Sequence, residues 1–205
     1  MKICGLILAA GLSSRMGDFK PLMDLLGKTA IERTVDSMLS AGVSPVMVVL
    51  GNRAEEVTQV LRGRYPEESV RIAINPRYAV TDMLTSIKIG IRELPVCDAF
   101  FLLPGDMPAV RKGTFDRIRN EMEKNKAAVV FPLIQGARRH PPLISADIIE
   151  EILAFEGSGG LKSFWTQFDG GISAVSVDDI GCQLDMDTME DYRKLVAYLK
   201  ENGEG

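Results

Sequence analysis

Three groups of residues in this sequence could carry chemistry by their type and spacing. The first is LILAAGLSSRMGDFK, residues 6–20, where an apolar run ends in Ala9, Ala10, Gly11 and Leu12, passes through Ser13 and Ser14, and reaches Arg15 and Lys20. A loop nearly without side chains lets backbone N–H groups approach an anion closely, and two cations just beyond it neutralise the charge. A nucleoside triphosphate suits such a loop. The second group is Asp106 in PGDMP, held in a stiff turn between Pro104 and Pro108 directly after the apolar run AFFLL. The third is LDMDTMEDY, where Asp185 and Asp187 stand two residues apart and so share one side of an extended segment. Magnesium usually takes one or two protein carboxylates and completes its octahedron with water and phosphate oxygens, so Asp106 with Asp185 or Asp187 reads as a Mg2+ site facing the triphosphate.

The first loop differs from the familiar phosphate loops. Five residues separate Gly11 from Gly17 and Asp18 follows, which breaks the Walker A pattern. The G-x-G-x-x-G fingerprint is missing as well, which argues against a nicotinamide-dependent oxidoreductase. His140 is the single histidine. A phosphate monoester acceptor is already largely ionised near neutral pH, so transfer to it calls for positioning and charge neutralisation rather than a general base. Arg138 and Arg139 read as solvated or phosphate-facing, and Phe164, Trp165 and Phe168 as core residues at helical spacing.

These groups need elements to hold them. Apolar, β-branched runs at 3–9, 46–50, 70–74, 99–103, 127–133 and 173–177 predict strands, each bounded by Gly, Pro, Asn or Asp. Helical patterns lie between them. Thr29 with Glu32 forms a capping box that opens a helix stopped by Gly42, and Thr188 with Asp191 opens a last helix running to about Asn202. Further helices are expected near 54–62, 84–94, 114–124, 146–155 and 160–168. Strands alternating with helices imply an α/β fold with a doubly wound, mostly parallel sheet and a ligand crevice outside the carboxyl ends of the strands. The loops that carry Gly11 and Asp106 follow such strands. No repeat or long linker divides the chain, so residues 1–205 read as a single domain.

Bulk properties narrow the partners. With 205 residues, 46% hydrophobic and 25% charged, the chain can bury a sizeable core. A formal net charge of -4 argues against nucleic-acid binding by bulk electrostatics. No run approaches the ~20 apolar residues of a membrane span, and Ile3–Ala10 reads as a buried strand rather than a secretory signal. Cys4, Cys97 and Cys182 are odd in number and widely spaced, which suggests neither a disulfide framework nor zinc and fits a reducing cytoplasm.

Taken in order, LAAGLSSRMG with Lys20 three residues on, NPRYAVTDMLTSIKIGI, PGDMP, RRHPPLIS and LDMDTMEDY resemble the molybdenum cofactor cytidylyltransferases and related small nucleotidyltransferases. The resemblance implies a Rossmann-like nucleotidyltransferase fold that uses Mg2+ to move a nucleoside monophosphate from an NTP to a phosphorylated acceptor, with release of pyrophosphate. LAAG looks more like the CTP users than the GTP users, and the acceptor implied is of the molybdopterin type, with handover to a molybdoenzyme or its maturation factor. By the same resemblance Ala9 to Arg15 and Lys20 bind the triphosphate, with Arg15, Lys20 and Asp106 as catalytic residues. Asp106 and Asp187, with Asp185 beside it, hold the metal. Asn75, Thr85 and Ser86 line the nucleotide side, while Tyr78, His140, Pro141 and Lys162 line the acceptor side. The chain departs from the family at Asp82, Arg139 and Met189, where Gly, Gly and Pro are usual, and at Lys162, where Arg is usual. These changes fall toward the acceptor. They leave open a cytidylyltransferase for a sugar or isoprenoid phosphate, and a nonenzymatic nucleotide- or cofactor-binding chaperone.

Overall fold

The computed structural model describes residues 1–12 and 16–202. Its main sheet runs in the order β10 (Ile172–Ser176), β7 (Val129–Ile134), β9 (Leu143–Ser145), β6 (Ala99–Pro104), β1 (Ile3–Ala9), β4 (Val46–Leu50) and β5 (Val70–Ile74). Strands β5, β4, β1 and β6 are mutually parallel, β10 is parallel to β7, and β9 runs antiparallel to both β6 and β7. The architecture is thus α/β, mixed but mostly parallel and Rossmann-like, as the alternation of patterns predicts. β8 (Ala137–Arg138) pairs with β7, and β2 (Asp24–Leu25) with β3 (Lys28–Thr29) forms a separate small hairpin.

Burial explains the strand sequences. β1 and β4 are covered on both faces, and their runs ICGLILA and VMVVL are almost wholly buried. β5 closes one edge and is only partly buried, with Val70 and Ala73 packed into the cores on opposite faces and Arg71 exposed. One face of the sheet, with Ile7, Val48, Phe101 and Leu103, packs on α1 (Ala30–Ser40), α2 (Ala54–Arg64) and α4 (Lys112–Asn125). The other, with Leu6, Val49, Phe100 and Leu102, packs on α3 (Met83–Glu93), α5 (Ile149–Ala154) and α6 (Gly160–Gln167).

Both capping boxes form. The Thr29 backbone N–H donates to Glu32 Oε2 at 2.7 Å, and the Thr188 N–H donates to Asp191 Oδ2 at 3.0 Å, which sets the start of α1 and of α7 (Met189–Glu201). The predicted helix at 146–155 begins instead as a 3-10 turn over Ala146–Ile148 before α5. α7 does not cover the main sheet. Leu195 and Leu199 join Leu25, Ala30, Ala109 and Met186 in a third cluster, and the Tyr192 hydroxyl donates to the Asp24 carbonyl at 2.8 Å. That cluster ties the C-terminal loop to the hairpin and to the turn after β6. Among the described residues no helix is long and apolar enough to cross a membrane.

Candidate active site

Register decides which loops meet. β1 and β6 are neighbours in parallel register, with Leu8 opposite Pro104, so the loops that follow them leave the same edge of the sheet. The Gly105 N–H donates to the Leu8 carbonyl at 2.8 Å. A Cβ on Gly105 would sit 3.0 Å from Ala9 Cβ and 3.1 Å from the Leu8 oxygen, so glycine allows this approach. From the other side the buried Thr34 hydroxyl of α1 donates to the Gly105 carbonyl at 3.1 Å. The turn is fixed from both directions, and Asp106 projects from it.

Two further segments arrive at the same point. Lys20 opens a 3-10 turn over Lys20–Leu22, with buried Phe19 before it and buried Pro21 after it. Asp187 precedes the Thr188 cap of α7, and the fully buried Met186 anchors the segment. Lys20 Nζ donates to Asp106 Oδ2 at 3.0 Å and to Asp187 Oδ1 at 2.6 Å, with its side chain only 12% exposed. Burial pulls the Lys20 ammonium toward a lower pKa, but the bonds to Asp187 and Asp106 outweigh it and hold the group above the ordinary lysine value. Asp185 lies at the exposed rim. The protein packed beside it, then the fields of Asp106 and Asp187, push its carboxyl above the usual carboxylate range.

A cleft of about 240 Å³ opens over this cluster. Its floor is Ala9, Ala10 and Gly11, and its wall includes Lys20, Ser86 and Asp106, so these expected residues are brought together. Leu12 is exposed just beyond, while Ser13, Ser14 and Arg15 lie outside the described residues. Tyr78, expected on the acceptor side, lines this cleft instead, with its hydroxyl 3.4 Å from Asn52 Oδ1. Asn75 and Thr85 are not on the wall. Asn75 is 1% exposed: its amide nitrogen donates to Thr81 Oγ1 and Ser86 Oγ, each at 3.0 Å, and its oxygen accepts from the Arg77 N–H at 3.0 Å. A side chain so fully engaged shapes the loop rather than meeting a ligand. Thr85 gives both its N–H and its hydroxyl to Asp82 Oδ1, at 2.9 Å each, and Asp82 thereby caps α3 and faces the cleft.

A second, larger cavity of about 630 Å³ adjoins the first, and Leu8, Met83 and Pro104 line both. Of the residues expected on the acceptor side, His140 and Lys162 line it, whereas Pro141 is buried and Pro142 lies on the wall. Trp165, expected in the core, also lines it, edge-on to Phe131 with ring centroids 5.7 Å apart. An aromatic at helical spacing faces inward whether the inside is filled or hollow, so the spacing alone could not separate core from cavity wall. Phe164 is core, buried between Phe155, Trp165 and Phe168. Arg138 stands over the Phe131 ring at 5.0 Å and lines the cavity, whereas Arg139 is exposed and serves the sheet by donating its N–H to the Pro132 carbonyl at 2.8 Å. The buried His140 Nδ1 has no hydrogen-bond partner among the described residues. Burial, opposed by the Leu102 carbonyl and the Asp106 charge, lowers the imidazole pKa.

Among the described residues no cluster of three or more His, Cys, Asp or Glu side chains could hold a metal unaided. The carboxylate pair is a different donor set. Oxygens of Asp106 and Asp187 reach one nitrogen, so they converge on a cation-sized point, which fits a divalent ion whose other ligands are phosphate and water.

The chain can be set beside known proteins at this point. A family model described as the MobA-like NTP transferase domain matches residues 5–171. Molybdenum cofactor cytidylyltransferase of Escherichia coli (strain K12) is 29% identical over 188 residues, covering 91% of this chain and 92% of that protein. A probable molybdenum cofactor guanylyltransferase of Bacillus cereus (strain Q1) is 31% identical over 145 residues, covering 71% of this chain and 68% of that protein. Among solved structures, a nucleotidyl transferase from Methanothermobacter thermautotroptrophicus superposes with a TM-score of 0.82 at 27% identity, covering 98% of each chain.

Proposed function

This chain belongs to the MobA-like NTP transferase family and is a nucleotidyltransferase, and from that premise we propose that it transfers CMP from CTP to a phosphorylated acceptor of the molybdopterin type. The observation that supports this most is the convergence of Lys20, Asp106 and Asp187 beside the Ala10–Gly11 turn, at the entrance to a second cavity carrying Lys162 and Arg138. The preference for CTP rests on the LAAG sequence and on the near-complete overlap with a cytidylyltransferase relative.

The residues divide the work as follows. Among the described residues, its chain neighbours aside, a Cβ on Gly11 would meet no atom within 4 Å; the bare backbone leaves room for phosphate oxygens. Asp106 and Asp187 would hold Mg2+, which when bound neutralises charge on the phosphates and strengthens the electrophile. Arg138 and Lys162 orient the acceptor phosphate, with His140 beside them on the cavity wall. One acceptor oxygen attacks the α-phosphorus in line. The new P–O bond forms as the bond to the β-phosphate oxygen breaks, and pyrophosphate leaves with that electron pair. No proton transfer is needed, because both the attacking and the leaving oxygens are phosphate oxygens.

The test is Mg2+-dependent pyrophosphate release from CTP with a panel of phosphorylated acceptors. Asp106→Ala should lower turnover by about two to three orders of magnitude, the scale of losing one preorganised electrostatic element. A variant that kept most of its Mg2+-dependent release would overturn the assignment.

A further inference from the structure

We propose that Lys20 is a resident counter-ion that keeps divalent cations out of the Asp106–Asp187 pair until a nucleotide phosphate draws its ammonium away. The sequence alone points Lys20 at phosphate. In the structure the ammonium instead sits between two carboxylates from different segments, at 3.0 Å and 2.6 Å, with a side chain 12% exposed. Both partners are fixed independently of it: Asp106 by the turn that the Leu8 carbonyl and the Thr34 hydroxyl hold, and Asp187 by the α7 cap and the buried Met186. The ammonium bonds to both carboxylates at the position a metal needs.

Two consequences follow from shared ligands. A divalent ion entering between the two carboxylates before a nucleotide is bound must displace the ammonium, so its affinity is reduced by that competition. Polyphosphate oxygens over Ala10 and Gly11, in the cleft that Lys20 also lines, give the ammonium a second anionic partner and release the carboxylates. Nucleotide and metal then bind with positive coupling, and the coupling is reciprocal. This rests on the reading of the cleft as a nucleotide site, but its test needs no turnover.

The experiment measures Mn2+ binding to the full chain without nucleotide, by electron paramagnetic resonance of the free ion. Lys20→Met should bind Mn2+ about tenfold or more tightly than the parent, within the usual range of site-to-site coupling. Lys20→Arg, which keeps a cation in reach of both carboxylates, should stay as weak as the parent. Adding Asp106→Asn to Lys20→Met should abolish the gain. Circular dichroism of each variant confirms that it is folded. Equal Mn2+ affinity in the parent and Lys20→Met, with Asp106→Asn weakening both, would overturn the counter-ion role while leaving the carboxylates as metal ligands. Mn2+ binding that ignores Asp106→Asn in every background would overturn the metal reading of the pair itself, and with it the premise.

Discussion

The cavity proposed for the acceptor carries two exposed charged side chains, Arg138 and Lys162, that can be tested without removing core packing. Arg138 is exposed and stands over the Phe131 ring, an arrangement worth about 0.5–1 kcal/mol at such a site. A charge-assisted hydrogen bond to an acceptor phosphate would contribute more, about 1.5–3 kcal/mol. Arg138→Ala should therefore raise the KM for acceptor about tenfold or more while leaving the KM for NTP near its parent value, as measured by initial rates with each substrate varied in turn. Equal shifts in both constants would remove Arg138 from the acceptor site. Gly11 and Asp106 were legible in the sequence because each closely follows a strand end, and strand ends define the crevice, whereas Asp187 was legible by its place just before the Thr188 cap. Trp165 and Tyr78 were not, because type and spacing do not say which of two adjoining chambers a side chain faces. The competition between phosphate and carboxylate for Lys20 was equally hidden, since it depends on a contact between residues 20 and 187.

At the level of elements, the loop between β5 and α3 shows how a buried amide can act at a distance. Asn75 joins Thr81, Ser86 and the Arg77 N–H, and Ser86, Thr81 and Tyr78 all line the nucleotide cleft. Asn75→Ala would leave these groups without their partner and should destabilise the protein by about 1–3 kcal/mol. Because the loop carries part of the cleft wall, NTP affinity should fall as well. Urea unfolding checks the first effect and nucleotide titration the second; a stability loss with unchanged NTP affinity would show that the loop does not shape the binding wall. Helix starts were readable here because capping is local: Thr29 with Glu32, and Thr188 with Asp191, act within four residues. β9 and the β2–β3 hairpin were missed for the opposite reason. Strands of two or three residues carry no readable period, and β9 owes its existence to β6 and β7 on either side of it.

For the molecule as a whole, the parallel strands deliver Gly11, Asp106 and the loop after β5 to one edge, while α7 brings Asp187 to that edge from outside the main sheet. A nucleotide bound there would join segments from nearly the full length of the chain, so binding should register as global stability. A ligand selective for the folded state stabilises by about 2.7 kcal/mol at one hundred times its Kd. For a domain of this size that corresponds to a rise in Tm of about 5–10 °C. Relatives of this chain include both a cytidylyltransferase and a guanylyltransferase, so the four ribonucleoside triphosphates must be compared at equal concentration with Mg2+. CTP should give the largest shift, and the shift should shrink in Asp106→Ala because the metal that joins the triphosphate to the carboxylates is then poorly held. A larger shift with GTP would overturn the cytidine assignment and keep the nucleotidyltransferase reading. No shift with any of the four, at concentrations that saturate other nucleotidyltransferases, would mean that the cleft beside Gly11 is not where a triphosphate rests.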